Sequence, residues 1–198
     1  MPVLEEIVAE SPINRAASLA FALSRCEPGK PVMIVVPRAE RREFGRPSVH
    51  GVAPWRPGSA LLMVVPATLA DALWTMEQAL KSGALGGVLG VIEGANLTQT
   101  RRLDFAARDG GSFAALLRCR GGDLSAARRR WRIEALPSAP HPFDAAAPGP
   151  VRLSAMLVRQ RDGPPAAWVL EHDPATCGFA VVPGLAADRL RPSTRRAA

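Results

Sequence analysis

Apolar and polar residues fall in alternating blocks along the first two thirds of the chain. Residues 31–36 (PVMIVV), 61–65 (LLMVV), 87–92 (GVLGVI) and 113–117 (FAALL) are continuous apolar runs bounded by turn-forming or polar residues. They are too short for helices and predict strands buried on both faces. Residues 3–8 (VLEEIV) predict a short first strand. Between the strands the period changes. Residues 14–25 predict a helix with Ala17, Phe21 and Leu23 on its apolar side, Asn14 as N-cap and Pro28-Gly29 as the stop. After residues 61–65, Leu69, Leu73, Met76 and Leu80 recur at helical spacing. Thr68 to Asp71 is close to a capping box, and Lys81 with Gly83 makes a stop signal. Asn96 predicts the cap of a third helix running to Asp109, with Leu103, Ala106 and Ala107 inward and Arg101 and Arg108 outward. Residues 38–58, rich in Arg, Pro and Gly, predict a loop with at most one helical turn.

Beyond residue 120 the pattern turns to period two. Trp131, Ile133 and Ala135 share one face and Arg130, Arg132 and Glu134 the other, which predicts a strand over 130–136. That alternation makes Trp131 a core residue rather than a base-stacking platform. Residues 138–150 (SAPHPFDAAAPGP) read as a Pro/Ala linker. Residues 151–158 and 166–170 flank RDGPP and predict a β-hairpin, added to the sheet or packed beside it, and 177–182 a last strand. Residues 188–198 are polar and Arg-rich, without a folding pattern. Strands alternating with single helices imply an α/β fold. It has three layers around a mainly parallel sheet, with a C-terminal antiparallel β-hairpin. The division is a core over 1–137, the linker over 138–150, the hairpin extension over 151–183 and a disordered tail over 184–198.

Composition narrows the class. The chain has 198 residues, 47% hydrophobic and 22% charged, enough for a sizeable core. Cys26, Cys119 and Cys177 are odd in number, far apart and form no CxxC pair, so they read as reduced, buried thiols of a cytoplasmic protein. Glu5 and Glu6 precede the first base, Arg15, unlike a secretory leader, and no uncharged run reaches the ~20 residues of a membrane span. The net charge is +7, and all 25 bases except Lys30 and Lys81 are arginine. Nine arginines against three aspartates lie between Arg101 and Arg132, supplying +6 of that charge. Such a field suits a polyanion or an acidic partner surface, and arginine-rich codon bias with solvated side chains accounts for it equally.

Nucleotide chemistry is the first candidate for a layout of this kind. A P-loop needs GxxxxGK[ST] between the first strand and first helix, where backbone N–H groups close on phosphate and a hydroxyl holds magnesium. This chain has Ala9 to Ala16 (AESPINRA) in that place. Ala9 and Asn14 stand where the glycines belong, Arg15 replaces lysine, and Ala16 has no hydroxyl. Glu10 adds negative charge and Pro12 lacks an N–H. The slot is therefore degenerate and no cofactor is expected. Gly83 to Gly87 precede a strand, so they read as a tight turn rather than a phosphate loop. Glu93 at the end of a strand reads as a loop acid. His172 and Cys177 lack a second ligand pair for zinc, so His172 reads as solvent-exposed. No catalytic residue is assigned. Arg101, Arg102, Arg108, Arg128, Arg129, Arg130 and Arg132 are the candidate contacts to DNA or a partner. The run 128–130 has only Asp123 and Glu134 near it in sequence.

Residues 72–90 (ALWTMEQALKSGALGGVLG) resemble the ImuA family, RecA-related accessory proteins of bacterial error-prone translesion synthesis. The carrying features are the Trp-x-Met-Glu helix, the Ser82-Gly83-Ala84 turn with its strand, then Arg101-Arg102-Leu103 and the late Arg130-Trp131-Arg132 segment. The resemblance covers roughly 1–136 and implies a RecA-like core. Val91 falls where such a core has its magnesium-binding acid, Glu93 being offset by two. Arg38 falls at the catalytic glutamate, with Glu40 two positions late. The resemblance thus implies a scaffold without ATPase chemistry, acting in the SOS response to DNA damage. Its implied partners are ImuB, an inactive Y-family polymerase homologue, and an error-prone replicative-type polymerase, with RecA and single-stranded DNA as further candidates. The alternative is a SulA-like cell-division inhibitor binding the division GTPase, although those chains are shorter and less basic.

Overall fold

The computed structural model describes residues 3–183 except 57, 122–123, 142 and 161–162. The expected tail, 184–198, lies outside the described residues. The first strand, β1 (Leu4–Val8), leads through a 3-10 turn (Pro12–Asn14) into α1 (Arg15–Ser24). β2 (Val32–Val35) follows, then α2 (Arg38–Phe44), α3 (Val49–Val52) and a second 3-10 turn (Ala53–Trp55). Next come β3 (Leu61–Val64), α4 (Leu69–Lys81), β4 (Gly87–Val91), α5 (Leu97–Gly110), β5 (Phe113–Arg118) and β6 (Arg129–Leu136). A short ribbon, β7 (Pro140–His141) with β8 (Asp144–Pro148), precedes β9 (Arg152–Gln160), β10 (Ala166–Asp173) and β11 (Gly178–Val181).

One nine-stranded mixed sheet holds all the strands but β7 and β8, in the order β11-β10-β9-β6-β1-β5-β4-β2-β3. From β6 to β3 all neighbours are parallel. β9 runs antiparallel to β6 and carries β10 and β11 outward, so the C-terminal hairpin extends the main sheet. Period-two alternation divides the core between two faces. On β2 and β5, Val32, Ile34, Ala115 and Leu117 face α1, packing with Phe21 and Leu23. Val35, Ala114 and Leu116 face α4 and α5, packing with Leu73, Met76, Leu80 and Leu103. These are the expected inward residues of all three long helices, except that Leu69, at the start of the α4 stripe, is exposed, and the arrangement is a three-layered α/β fold.

The helix ends follow local chemistry. Thr68 accepts from the Asp71 N–H at 3.1 Å, and Asn96 and Gln99 form a reciprocal capping box, at 3.0 and 2.9 Å. At Gly110 the ends of α4 and α5 meet so closely that a Cβ there would collide with the Leu80 carbonyl oxygen.

Three expectations are corrected. Asn14 stands at the N-cap position of α1 but caps nothing; its Oδ1 accepts the Ala135 N–H at 2.9 Å and ties the helix start to β6. Residues 38–58 contain two short helices rather than a loop with one turn, because Pro37 starts α2 and Gly45, at φ +74, ends it. Residues 138–150 contain the β7–β8 ribbon, a separate two-stranded sheet, where a linker was expected.

Candidate functional site

In open parallel sheets, ligands bind beyond the carboxyl ends of the strands. There the structure has a cleft of about 810 Å3. Its walls come from the β1–α1 loop and α1 (Ala9, Ile13, Arg15, Leu19), the ends of β4 and β5 (Val91, Leu117, Cys119) and the segment from Glu43 to Trp55. The lining is mainly apolar, and Ile13, 77% exposed, stands open at it.

The loop that would have to hold phosphate is engaged with the protein itself. The Ala9 N–H donates to the Arg118 carbonyl at 2.8 Å and the Asn14 N–H to the Ser11 carbonyl at 3.0 Å. The Glu10 carboxylate pairs with Arg132 at 2.9 Å. Arg15, first residue of α1, donates its Nε to the Cys119 sulfur at 3.1 Å. Glu93 accepts the Cys119 N–H at 2.6 Å, which makes it a clamp on the end of β5. Burial, helped by Glu93, raises the Cys119 thiol above its ordinary range. Arg38 opens α2 with its N–H on the Pro66 carbonyl, and Ala16 and Val91 line the cleft without a polar side chain. The chemistry the cleft offers is apolar contact with charge at its rim.

The arginine field is sorted by two glutamates. Glu5 and Glu6 occupy the middle of β1, 1% and 0% exposed, with their side chains on opposite faces of the sheet. Glu5 accepts from Arg25 at 2.7 Å, Arg129 at 3.0 Å and the Trp131 indole N–H at 2.8 Å. Glu6 pairs with Arg130 at 2.7 Å and with Arg118 at 3.4 Å. The parallel register between β1 and β6 sets Glu5 beside Arg129 and Glu6 beside Arg130. Arg129 and Arg130 thus find their counter-charges at the other end of the sequence, and Arg128 lies 3.9 Å from Asp104. Arg108 also pairs with Asp104, at 2.9 Å, and covers the Phe105 ring. Arg102 pairs with Glu77 at 2.7 Å. Glu77 is held below the usual carboxylate range, first by its hydrogen bond from Lys81 and then by Arg102. Arg101 is exposed, with no ion pair among the described residues. The structure therefore brings Arg129 and Arg130 to one strand beside β1 and leaves Arg101, Arg102 and Arg108 on the outer side of α5. Two adjacent carboxylates in an otherwise apolar strand were the sequence signal for this network.

Trp131 is buried against Phe21 and Trp168, as its alternation predicts, whereas Ala135 on the same face is exposed at the cleft. His172 is half-buried against Trp55 rather than solvent-exposed, because the 38–58 segment folds over the hairpin. Of the three free cysteines only Cys26 is fully buried; Cys119 and Cys177 are half-buried. Among the described residues no cluster has the ligands for a metal, and no helix is long and apolar enough to cross a membrane.

No family model matches the chain. A likeness of low TM-score, 0.43, links it to the crystal structure of SulA from Pseudomonas aeruginosa, at 18% identity over 58% of this chain and 96% of that one. The chain is 32% identical over 151 residues to Protein ImuA of Caulobacter vibrioides, in both strain NA1000 / CB15N and strain ATCC 19089 / CIP 103742 / CB 15. The match takes in 71% of this chain and 61% of those relatives, so it spans about three fifths of their length. On that match, the chain is similar in sequence to the ImuA family over most of its own length.

Proposed function

We propose that the protein is a non-catalytic accessory of SOS-induced, error-prone translesion DNA synthesis, acting in the cytoplasm. It holds together an inactive Y-family polymerase homologue and an error-prone polymerase, with RecA or single-stranded DNA as further contacts. The identity to Protein ImuA carries this reading. The core is read as RecA-like, with a nucleotide slot that has lost its chemistry. Support comes from the loop after β1, where Glu10, Pro12 and Ala16 replace the groups a phosphate needs. The outward arginines of α5, Arg101, Arg102 and Arg108, are the proposed charged contacts; of those on or next to β6, Arg128, Arg129 and Arg132 keep partly exposed side chains that can add to them, whereas Arg130, 13% exposed, is held by Glu6.

The test is co-purification of the tagged chain from DNA-damaged cells after nuclease treatment, with mass spectrometry of what remains bound. Recovery of the inactive Y-family homologue or the error-prone polymerase is the expected result. Recovery of the division GTPase alone would make the chain a division inhibitor instead. A residual ATPase predicts ATP binding at millimolar nucleotide, and the reading here predicts none.

A further inference from the structure

We infer that the cleft and the adjoining helix α2 form one docking surface, and that its occupant is an acidic, amphipathic segment of a partner protein. The inference rests on the accessory reading above and gives that reading a surface. The observation behind it is how the structure distributes its arginines. Glu5 and Glu6 take up Arg25, Arg118, Arg129 and Arg130. Asp104, Glu77 and Glu10 take up Arg108, Arg102 and Arg132. In contrast, Arg38, Arg41, Arg42 and Arg46 are all exposed and have no ion pair among the described residues. The first three lie at i, i+3 and i+4 on α2 and so share one side of it. Arg46 follows the helix and lines the cleft.

The cleft supplies the other half of the surface. Ile13 and Val151, 77% and 45% exposed, stand open at it, a solvation state that side chains of this kind leave on association. Apolar anchors in a pocket, ringed by complementary charge, are how protein interfaces divide affinity from steering. The matching segment carries two or three apolar side chains for the cleft and carboxylates for Arg41, Arg42 and Arg46. On α2 it is Glu43 that lines the cleft, so Arg38, Arg41 and Arg42 stand beyond its rim on another side of the helix, and Arg46 is the arginine that joins them to it. Nucleic acid fits less well. Single strands need free aromatic faces as well as cations. The aromatic ring in the cleft, Trp55, is stacked on Phe179 at 4.9 Å and lies against His172 at 4.3 Å.

A random 12-residue peptide library displayed on phage and selected on the full chain tests this. The expected peptides combine Leu, Ile or Phe with Asp or Glu. The strongest, labelled with fluorescein, should lose about tenfold or more in affinity against Arg41→Glu/Arg42→Glu, and against Ile13→Asp. Arg41→Lys/Arg42→Lys should bind normally. All these side chains are exposed, so thermal melts should match the parent. No selected peptide, peptides lacking either feature, or binding indifferent to both variants would overturn the inference. So would a dT20 oligonucleotide that binds the chain and is lost with Arg41→Glu/Arg42→Glu. In cells the two readings separate. If deletion abolishes damage-induced mutagenesis but the double charge reversal restores it fully, the surface is wrong and the accessory reading stands. If deletion has no effect, the accessory reading itself fails.

Discussion

Glu5 and Glu6 are the same residue type at adjacent positions, yet replacing each by leucine should have unequal effects. Removing Glu6 takes the paired carboxylate away from Arg118, whose side chain is 1% exposed, and from Arg130, 13% exposed. Breaking a buried pair from one side costs about 3–5 kcal/mol. Removing Glu5 strands Arg25 and Arg129, but their side chains are 29% and 44% exposed and rehydrate in place. What remains is the Trp131 indole N–H without an acceptor, at about 1–3 kcal/mol. Glu6→Leu should therefore be the more destabilised by roughly 2 kcal/mol, or ~4–8 °C in Tm at ~2–4 °C per kcal/mol for a domain of this size. Urea unfolding followed by tryptophan fluorescence measures both. Glu6→Leu combined with Arg118→Met should recover much of the loss, since replacing a buried pair by apolar residues is often neutral. The contact from Arg118 to the Ala95 carbonyl and the lost Glu6 partner of Arg130 are the parts not recovered. Equal destabilisation of the two single variants, or a double variant no better than Glu6→Leu, would refute the reasoning.

Gly110→Ala should destabilise by about 1–3 kcal/mol in the same assay, because its methyl group meets the Leu80 carbonyl where α4 and α5 cross. Glu77 ionises at lower pH in the fold than its ordinary 4.5, so its stabilisation is complete above that pH and fades as pH falls through the lower folded value. Glu77→Gln should flatten the stability-against-pH curve there. Burial pushes the Cys26 thiol up to about 12, so a thiol reagent at pH 8 should modify Cys26 only after denaturant is added.

What the sequence made legible was local. The strands of the parallel sheet announced themselves as apolar runs between breakers, and α4 and α5 by their stripes and caps. The helix α2 was hidden because RAERREF has no apolar stripe until its last residue, although Pro37 and Gly45 mark both ends. The β7–β8 ribbon was hidden by prolines that read as linker. The largest gap concerned the site. The arginines of β6 and the glutamates of β1 lie 124 residues apart and become neighbours only through parallel register. Charge counted in sequence windows sees an uncompensated field there. The degenerate slot after β1 was legible, but that Ile13 stands open at a cleft there was not, since it lies between the predicted first strand and first helix.

The most direct measurement is damage-induced mutation frequency in a strain lacking this chain, with cell length recorded in the same cultures. If the chain is an accessory of mutagenesis, induced mutation falls to the uninduced level and returns when the chain is supplied, and filamentation after damage is unchanged. Normal induced mutation together with a loss of filamentation would contradict that role and would mean that the chain halts division.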